Sequence, residues 1–171
     1  MPYYSPSTIS MVADLNQKRG LVCRTATVDA ANVMTAASVT NIFKVTGRIR
    51  IVSLDIEAIT QFGAQAAVPR IQFVGVTPAV AAYDISAASS TLSGLAAGKR
   101  VSMAGTALNT ALVIDSVAGI TVKPANLMDI GWDGGVGYIA VLGSTALTSG
   151  TCVLTLCYLP QSDGAAAEAL M

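Results

Sequence analysis

The chain has 171 residues, ten basic and ten acidic side chains, no histidine and a mean hydropathy of +0.60, a length that one ordinary domain accounts for. Charged residues make up 12%, about half the roughly 25% usual in a soluble domain, and hydrophobic residues 53%, which excludes disorder driven by charge. A net charge of zero excludes the long-range field by which generic nucleic-acid and anionic-lipid binders gather their partners.

Twenty-eight residues are Ala, which bury little area, but 44 are Val, Leu or Ile, enough for one core. Val, Ile and Thr number 46, against six Glu plus Lys. Stiff β-branched side chains suit a pleated sheet, and the residues that usually cover exposed helix faces are nearly missing, so the body is expected to be all-β.

Residues 1–20 carry neither the basic leader nor the apolar run of a secretory signal. Ile9, Val12, Ala13 and Leu15 recur at near-helical spacing, with Ser10 as a candidate cap. A helix this short is marginal alone. The segment is therefore read as an extended or partly helical arm that orders against a neighbour, with Tyr3 and Tyr4 as rigid amphipathic anchors and Lys18, Arg19 and Arg24 as a basic group.

Strands are predicted at Leu21–Val28, Thr40–Gly47 and Arg48–Gln61. In the last, Ile49 and Ile51 alternate with Arg48 and Arg50. Then the phase reverses, with Val52, Leu54 and Ile56 alternating with Ser53, Asp55 and Glu57. A one-residue slip turns every side chain over, so a β-bulge or a passage between sheets is predicted at Ile51–Val52. Lys44, Arg48 and Arg50 form a basic row along a strand. Phe43 is the one aromatic beside it, too little for base stacking, and the row suits an acidic protein surface or plain solvation. Asp55 and Glu57 share a face and are expected to meet Arg or Lys on a neighbouring strand rather than a cation.

Further strands are predicted at Arg70–Val76, Val80–Ser86, Lys99–Ala104, Ala111–Asp115, Gly119–Lys123, Leu127–Trp132, Val136–Leu142 and Thr151–Leu159, punctuated by Gly and Ser. Ser86–Gly98 reads as a loop, with a short helix at Thr91–Ala97 as the other option. No long helices intervene, which implies antiparallel pairing in a two-sheet sandwich. Asp133-Gly134-Gly135 is read as a hairpin turn needing positive φ rather than a phosphate loop, and Trp132 as a core anchor. The uncharged stretch from Gly134 to Ser162 is broken by Gly143, Ser144, Thr145 and Thr148–Thr151, so it does not supply the ~20 apolar residues of a membrane-spanning helix. The expected organisation is an arm over 1–20, a sandwich domain over 21–161 and a frayed Ala-rich tail over 162–171.

On one extended strand Cys152 and Cys157 stand ~16 Å apart on opposite faces, out of range of a mutual disulfide. Cys23 remains a candidate partner for one of them, and three reduced, buried thiols are the expectation. Residues 1–50 hold six basic and two acidic side chains, whereas the chain after Lys123 holds four acidic and no basic ones. Pairing between neighbouring subunits is one reading of this asymmetry, scattered solvated charge the other. With no His, the commonest general base and transition-metal ligand are missing, along with Ser-His-Asp, Cys-His and His-zinc arrangements. Only two Glu exist, Glu57 and Glu168. No catalytic, metal or cofactor residue is assigned, and no small-molecule substrate, nucleic acid or membrane is expected as a partner.

Phe43-Lys-Val-Thr-Gly-Arg-Ile-Arg-Ile-Val-Ser-Leu, followed by Glu57-Ala-Ile-Thr, resembles the opening strand of a group of tailed-bacteriophage virion proteins with jelly-roll folds. Gly137-Tyr-Ile-Ala, Ser149-Gly-Thr and the closing Cys157-Tyr-Leu-Pro-Gln-Ser are similar to the end of the same group. Together these cover about half the chain, and Thr77–Ala125 is matched only in composition. The resemblance implies a capsid cement or decoration protein: a non-enzymatic, homo-oligomeric jelly roll, a trimer before a dimer. It would be made in the host cytoplasm, sit on the outside of the phage head and clamp major capsid protein subunits. Its contact residues would include Tyr3, Tyr4, Lys18, Arg19, Arg24, Arg48 and Arg50. A tail, baseplate or fibre-base part is the alternative. A carbohydrate-binding or hydrolytic jelly roll is disfavoured by only nine aromatics, one of them Trp.

Overall fold

The computed structural model of the chain describes residues 20–87, 91–103, 110–114 and 128–171. Within them run β1 (Val22–Asp29), one helical turn α1 (Ala30–Val33), β2 (Val39–Thr46), β3 (Ile49–Ala58), β4 (Arg70–Thr77), β5 (Ala79–Asp84), β6 (Ser86–Ala87), β7 (Arg100–Met103), β8 (Thr110–Ile114), β9 (Met128–Ile130), β10 (Val136–Leu142), β11 (Thr151–Pro160) and β12 (Ala166–Ala169). The expected strands appear nearly where period-two alternation placed them. Thr91–Ala97 is irregular, not helical, and the expected strand at Gly119–Lys123 lies outside the described residues.

The protein is an all-β, two-sheet sandwich. The first sheet has the order β1-β11-β3-β7-β8-β6, and β9 shares with β7 the side of β3 opposite β11. The second has the order β12-β2-β10-β4-β5. Pairing is antiparallel except between β6 and β8. The chain crosses repeatedly between the sheets: β1 lies in the first, β2 in the second, β3 in the first, β4 and β5 in the second, β7 in the first, β10 in the second and β11 in the first. Strands far apart in sequence thus become neighbours, β1 with β11 and β2 with β10.

The core lies between the sheets. Cys152, Leu154, Leu156 and Tyr158 of β11 and Ile49, Ile51, Leu54 and Ile56 of β3 face Ile42, Phe43, Ile71, Phe73, Ile139 and Val141 of the second sheet, all buried. Each large side chain so removed from water contributes about 1.5–3 kcal/mol before entropy is charged against it. The predicted irregularity in β3 is a β-bulge. Cys157 opposes Ser53 and Tyr158 opposes Ile51, leaving Val52 unopposed. The buried set accordingly changes parity, from Ile49, Ile51 and Ser53 to Leu54, Ile56 and Ala58. In the second sheet Ile139 opposes Phe43 and Ala140 opposes Asn41, so Ile42 is the extra residue and both Ile42 and Phe43 are buried.

Three expectations are corrected. The residues expected to form a frayed tail include β12, paired to β2. Ala167 is fully buried and its N–H donates to Tyr158 Oη at 2.9 Å, so a phenol from the first sheet holds the last strand of the second. Alanine is small enough to let the two sheet edges approach there, and Arg24 Nε of β1 donates to the Ala167 carbonyl at 3.3 Å.

The cysteines are not three reduced thiols. Cys23 and Cys157 lie directly opposite one another in the β1–β11 ladder, Cα atoms 4.1 Å apart, and form a disulfide on the outer face. Cys152 alone is free and buried, and burial, helped by the charge of Asp29, pushes its thiol pKa up to about 12. Finally, Asp133-Gly134-Gly135 does form a turn, with Gly134 at φ +70 and the Gly135 N–H bonded to the Trp132 carbonyl at 3.0 Å. It is not a hairpin, because β9 pairs with β3 whereas β10 pairs with β2 and β4. The turn carries the chain from one sheet to the other.

Tyr158→Phe leaves the buried Ala167 N–H without an acceptor and is expected to cost about 1–3 kcal/mol, read as a lower urea midpoint at unchanged slope with faster proteolysis near residue 166. An unchanged midpoint would mean that β12 does not depend on the phenol. Cys152 is expected to resist alkylation in the native protein and to react once denatured, with Cys23 and Cys157 recovered as one disulfide-linked peptide pair. Alkylation of all three under native, non-reducing conditions would contradict the pairing.

Candidate interface surfaces

Two of the basic residues expected to meet a partner, Arg48 and Arg50, lie beside acids of their own chain. Arg50 of β3 stands opposite Asp129 of β9 and donates to it twice, Nε to Oδ1 at 2.6 Å and Nη2 to Oδ2 at 2.8 Å, the parallel geometry that makes guanidinium–carboxylate pairs specific. Arg48 Nε lies 3.7 Å from Asp133 Oδ1. Lys44 of β2 faces Glu168 of β12 in register. Among the described residues, part of the basic beginning and acidic end is thus matched within one chain, at Arg50–Asp129, Arg48–Asp133 and Lys44–Glu168.

Nor do the three cations form one strand face. Gly47, at φ +70, turns the chain between β2 in the second sheet and β3 in the first, separating Lys44 from Arg48 and Arg50. Arg24 is exposed, bonded to Ala167. Tyr3, Tyr4, Lys18 and Arg19 lie outside the described residues. Of the two acids on β3, Glu57 accepts from Arg100 Nε at 2.8 Å, with Nη2 at 2.6 Å, and Asp55 stands opposite Ser102. The expected neighbour-strand pairing thus holds for Glu57.

A surface not singled out from the sequence lies at the far edge of the second sheet. β4 and β5 join through Thr77 and a cis Pro78, with Val76 opposite Ala79. Phe73 opposes Tyr83 and Gly75 opposes Val80, so Ala81 and Ala82 together face Val74 alone and β5 is bulged. Val76 of β4 is 45% exposed, and Val80 and Tyr83 of β5 are 42% and 36% exposed, on a strand exposed throughout from Ala79 to Tyr83. Among the described residues no strand pairs its other side.

Beneath this edge Phe73 meets Tyr83 at a ring separation of 5.4 Å and Trp132 edge-on at 5.8 Å. Trp132 donates from Nε1 to the Thr77 carbonyl at 2.7 Å. A Cβ on Gly75 would strike both Val80 and Trp132, so glycine there admits the indole against β4. Trp132, expected in the core, is instead half-buried at its rim. Burial pushes the Tyr83 phenol pKa up, opposed by a backbone hydrogen bond with Gly131. Asp84, which ends β5, is tied back to β4 by Arg70 Nη1 at 3.0 Å and Gln72 Nε2 at 2.6 Å. From Ala79 to Tyr83 the edge presents no charge, although exposed edges are ordinarily blunted by it. The signal was in the sequence: five uncharged residues without alternation.

A cavity of about 470 Å³ is lined by Ala37, Val68, Arg70, Leu142, Gly143 and Ser144. Arg70 is engaged by Asp84, and Ser144 Oγ accepts the Val68 N–H at 3.0 Å, so its polar groups serve the fold. Among the described residues no group of three His, Cys, Asp or Glu is placed to hold a metal ion, and no helix is long and apolar enough to cross a membrane.

The Arg50 hydrogen bonds hold the Asp129 carboxyl below its ordinary pKa, against some desolvation, with the charges of Arg50 and Arg48 helping. A depressed native pKa contributes stability above the ordinary Asp value near 3.9, and that contribution fades as pH falls through the lowered value. Carboxyl-carbon NMR titration is expected to place Asp129 below the ordinary Asp value and to return it toward that value in Arg50→Gln. No movement in the variant would mean that the pair is not formed in solution. No protein-family model matches this chain, and neither a curated protein nor a solved structure matches it.

Proposed function

We propose that this protein is a structural, non-enzymatic part of a tailed-phage particle: a jelly-roll cement protein that binds the outside of the head as a homo-oligomer, a trimer before a dimer, and stabilises contacts between major capsid protein subunits. The observation that carries the binding role is the uncharged β5 edge, which no described strand pairs on its outer side, with its aromatic rim, a surface suited to protein rather than to solute. The identity of the partner comes from the sequence resemblance, whose two phrases fall on β2–β3 and β10–β11. The runs β1-β11-β3-β7 and β2-β10-β4-β5 within the seven- and five-stranded sheets support the jelly-roll reading, an architecture used by viral capsid domains. The disulfide fits a particle that persists outside the reducing cytoplasm.

The job is stabilisation by mass action. A protein that binds the assembled shell and not its separated subunits lowers the free energy of the shell, and many modest contacts in a lattice sum to firm attachment.

Purified heads and tails, separated and probed for a 17.4 kDa band, test the reading; the band is expected with heads, and stripped heads should regain heat resistance when the protein is added back. A band confined to tails would overturn it. Removing residues 1–20 is expected to leave the unfolding midpoint unchanged and to lower head occupancy, measured by quantitative gel of pelleted heads. Full occupancy by the truncated protein would remove the arm from the contact.

A further inference from the structure

The Cys23–Cys157 disulfide joins an edge strand to an interior one. β11 lies between β1 and β3, whereas β1 begins the sheet, and among the described residues no strand pairs its other side. The two halves of β1 are held unequally. In the second half Ala26 and Val28 are buried, Asp29 Oδ1 accepts the Ala31 N–H at 2.9 Å, and the next residue, Ala30, donates its N–H to the Gly150 carbonyl at 2.8 Å. In the first half Cys23, Arg24 and Thr25 are exposed, and only Val22 packs in part against the core. Arg24 reaches the Ala167 and Cys23 carbonyls at 3.3 and 3.4 Å, longer than the usual ~2.7–3.2 Å. Beyond the ladder to β11, the disulfide is thus the strongest tie that keeps Val22–Thr25 in the sheet.

We propose that the Cys23–Cys157 disulfide is a reversible redox latch: a small dithiol reduces it in the folded protein, and reduction releases Val22–Thr25 from β11 while the rest of the sandwich stays closed. A reducing compartment then holds this end of β1 open, and an oxidising one closes it. The exchange needs only the free protein and does not rest on the capsid reading.

The chemistry is thiol–disulfide exchange, to which exposed disulfides are the most open. Cys23 is exposed and Cys157 half-buried, so a thiolate of the dithiol attacks Cys23 Sγ from solvent. A sulfur–sulfur bond to the reductant forms as the bond to Cys157 breaks, and Cys157 leaves as thiolate. The second thiolate of the reductant then closes on its own first sulfur and expels Cys23. The two cysteine thiolates take up the two protons that the dithiol gave up, so the protein ends as two thiols and the reductant as a cyclic disulfide. Cys152 takes no part, being buried on the opposite face of β11. After reduction β11 is still paired with β3, and Leu156 and Tyr158 on either side of Cys157 stay in the core. β1 has no such hold before Ala26, so the opening is local.

A crosslink across 134 residues also restrains the unfolded chain, so some loss of global stability follows reduction of any such bond. A change confined to the first half of β1 separates a latch from a staple. The full chain is treated with dithiothreitol at about pH 8 without denaturant, where part of the reductant is thiolate, then alkylated and mapped by mass spectrometry, with a parallel trypsin digestion. Alkylation of Cys23 and Cys157 but not of Cys152 is expected, at unchanged Trp132 fluorescence. Cleavage after Arg24 is expected to become about tenfold faster or more, and amide protection to be lost only in peptides covering Val22–Thr25. A disulfide that dithiothreitol reduces only in denaturant overturns the proposal. So does reduced protein in which Arg24 is cut no faster, or in which Cys152 is alkylated too. The double variant Cys23→Ser, Cys157→Ser is expected to be cut after Arg24 at the reduced rate with or without dithiothreitol, and cutting at the oxidised rate removes the latch. Should the variant fail to fold, the reduced natural chain decides.

Discussion

The antiparallel pairing of β3 with β11 is the constraint on which the sandwich depends. Two ten-residue strands, one from the first third of the chain and one from its end, lie side by side in the first sheet. β11 then accepts β1 on its other side, joined also by the Cys23–Cys157 disulfide, while β3 accepts β9 and β7. Tyr158 extends this control to the second sheet, since its hydroxyl holds the Ala167 N–H of β12. The bulge at Val52 lets one strand satisfy two phases of burial, with the isoleucines before it and the Leu54–Ile56 set after it all reaching the core.

The same closure settles most of the charge. Few ionic groups are present, and the wrapping brings Asp129 to Arg50, Asp133 to Arg48, Glu168 opposite Lys44 and Asp84 to Arg70. Such exposed pairs add little stability. None of them lies on β5 between Ala79 and Tyr83, which carries no charged residue. Apolar side chains stay exposed at and beside that edge at Val76, Val80 and Tyr83, and elsewhere at Leu21, Val39, Ile59, Leu170 and Met171.

On the reading proposed above, that arrangement serves adhesion. The cavity is lined by groups already engaged in the fold, and the Trp132 indole is fixed by the Thr77 carbonyl. A rigid rim with an open backbone ladder has most of its ordering cost met before a partner arrives, so modest contacts can become useful affinity when many copies bind at once.

Alternation is a property of neighbouring residues, and what depended on it was legible: the all-β class, the strand positions among the described residues, and the bulge where Ile51 gives way to Val52. The Glu57 partnership followed from the same local reasoning about faces. Register between strands far apart in sequence is a property of the packed whole, and what depended on that was not legible. Cys23 meets Cys157 across a separation of 134 residues because β1 and β11 align. The turn at Gly134 links two sheets because β9 prefers β3. Ala166–Ala169 looks like a tail until Tyr158 and β2 supply its partners. Arg48 and Arg50 look unpaired along the chain until the fold brings Asp133 and Asp129 beside them. Side-chain chemistry along the chain determined which segments could be strands; only the competition among all of them for one shared core decided which strands meet, and therefore which edge stays open.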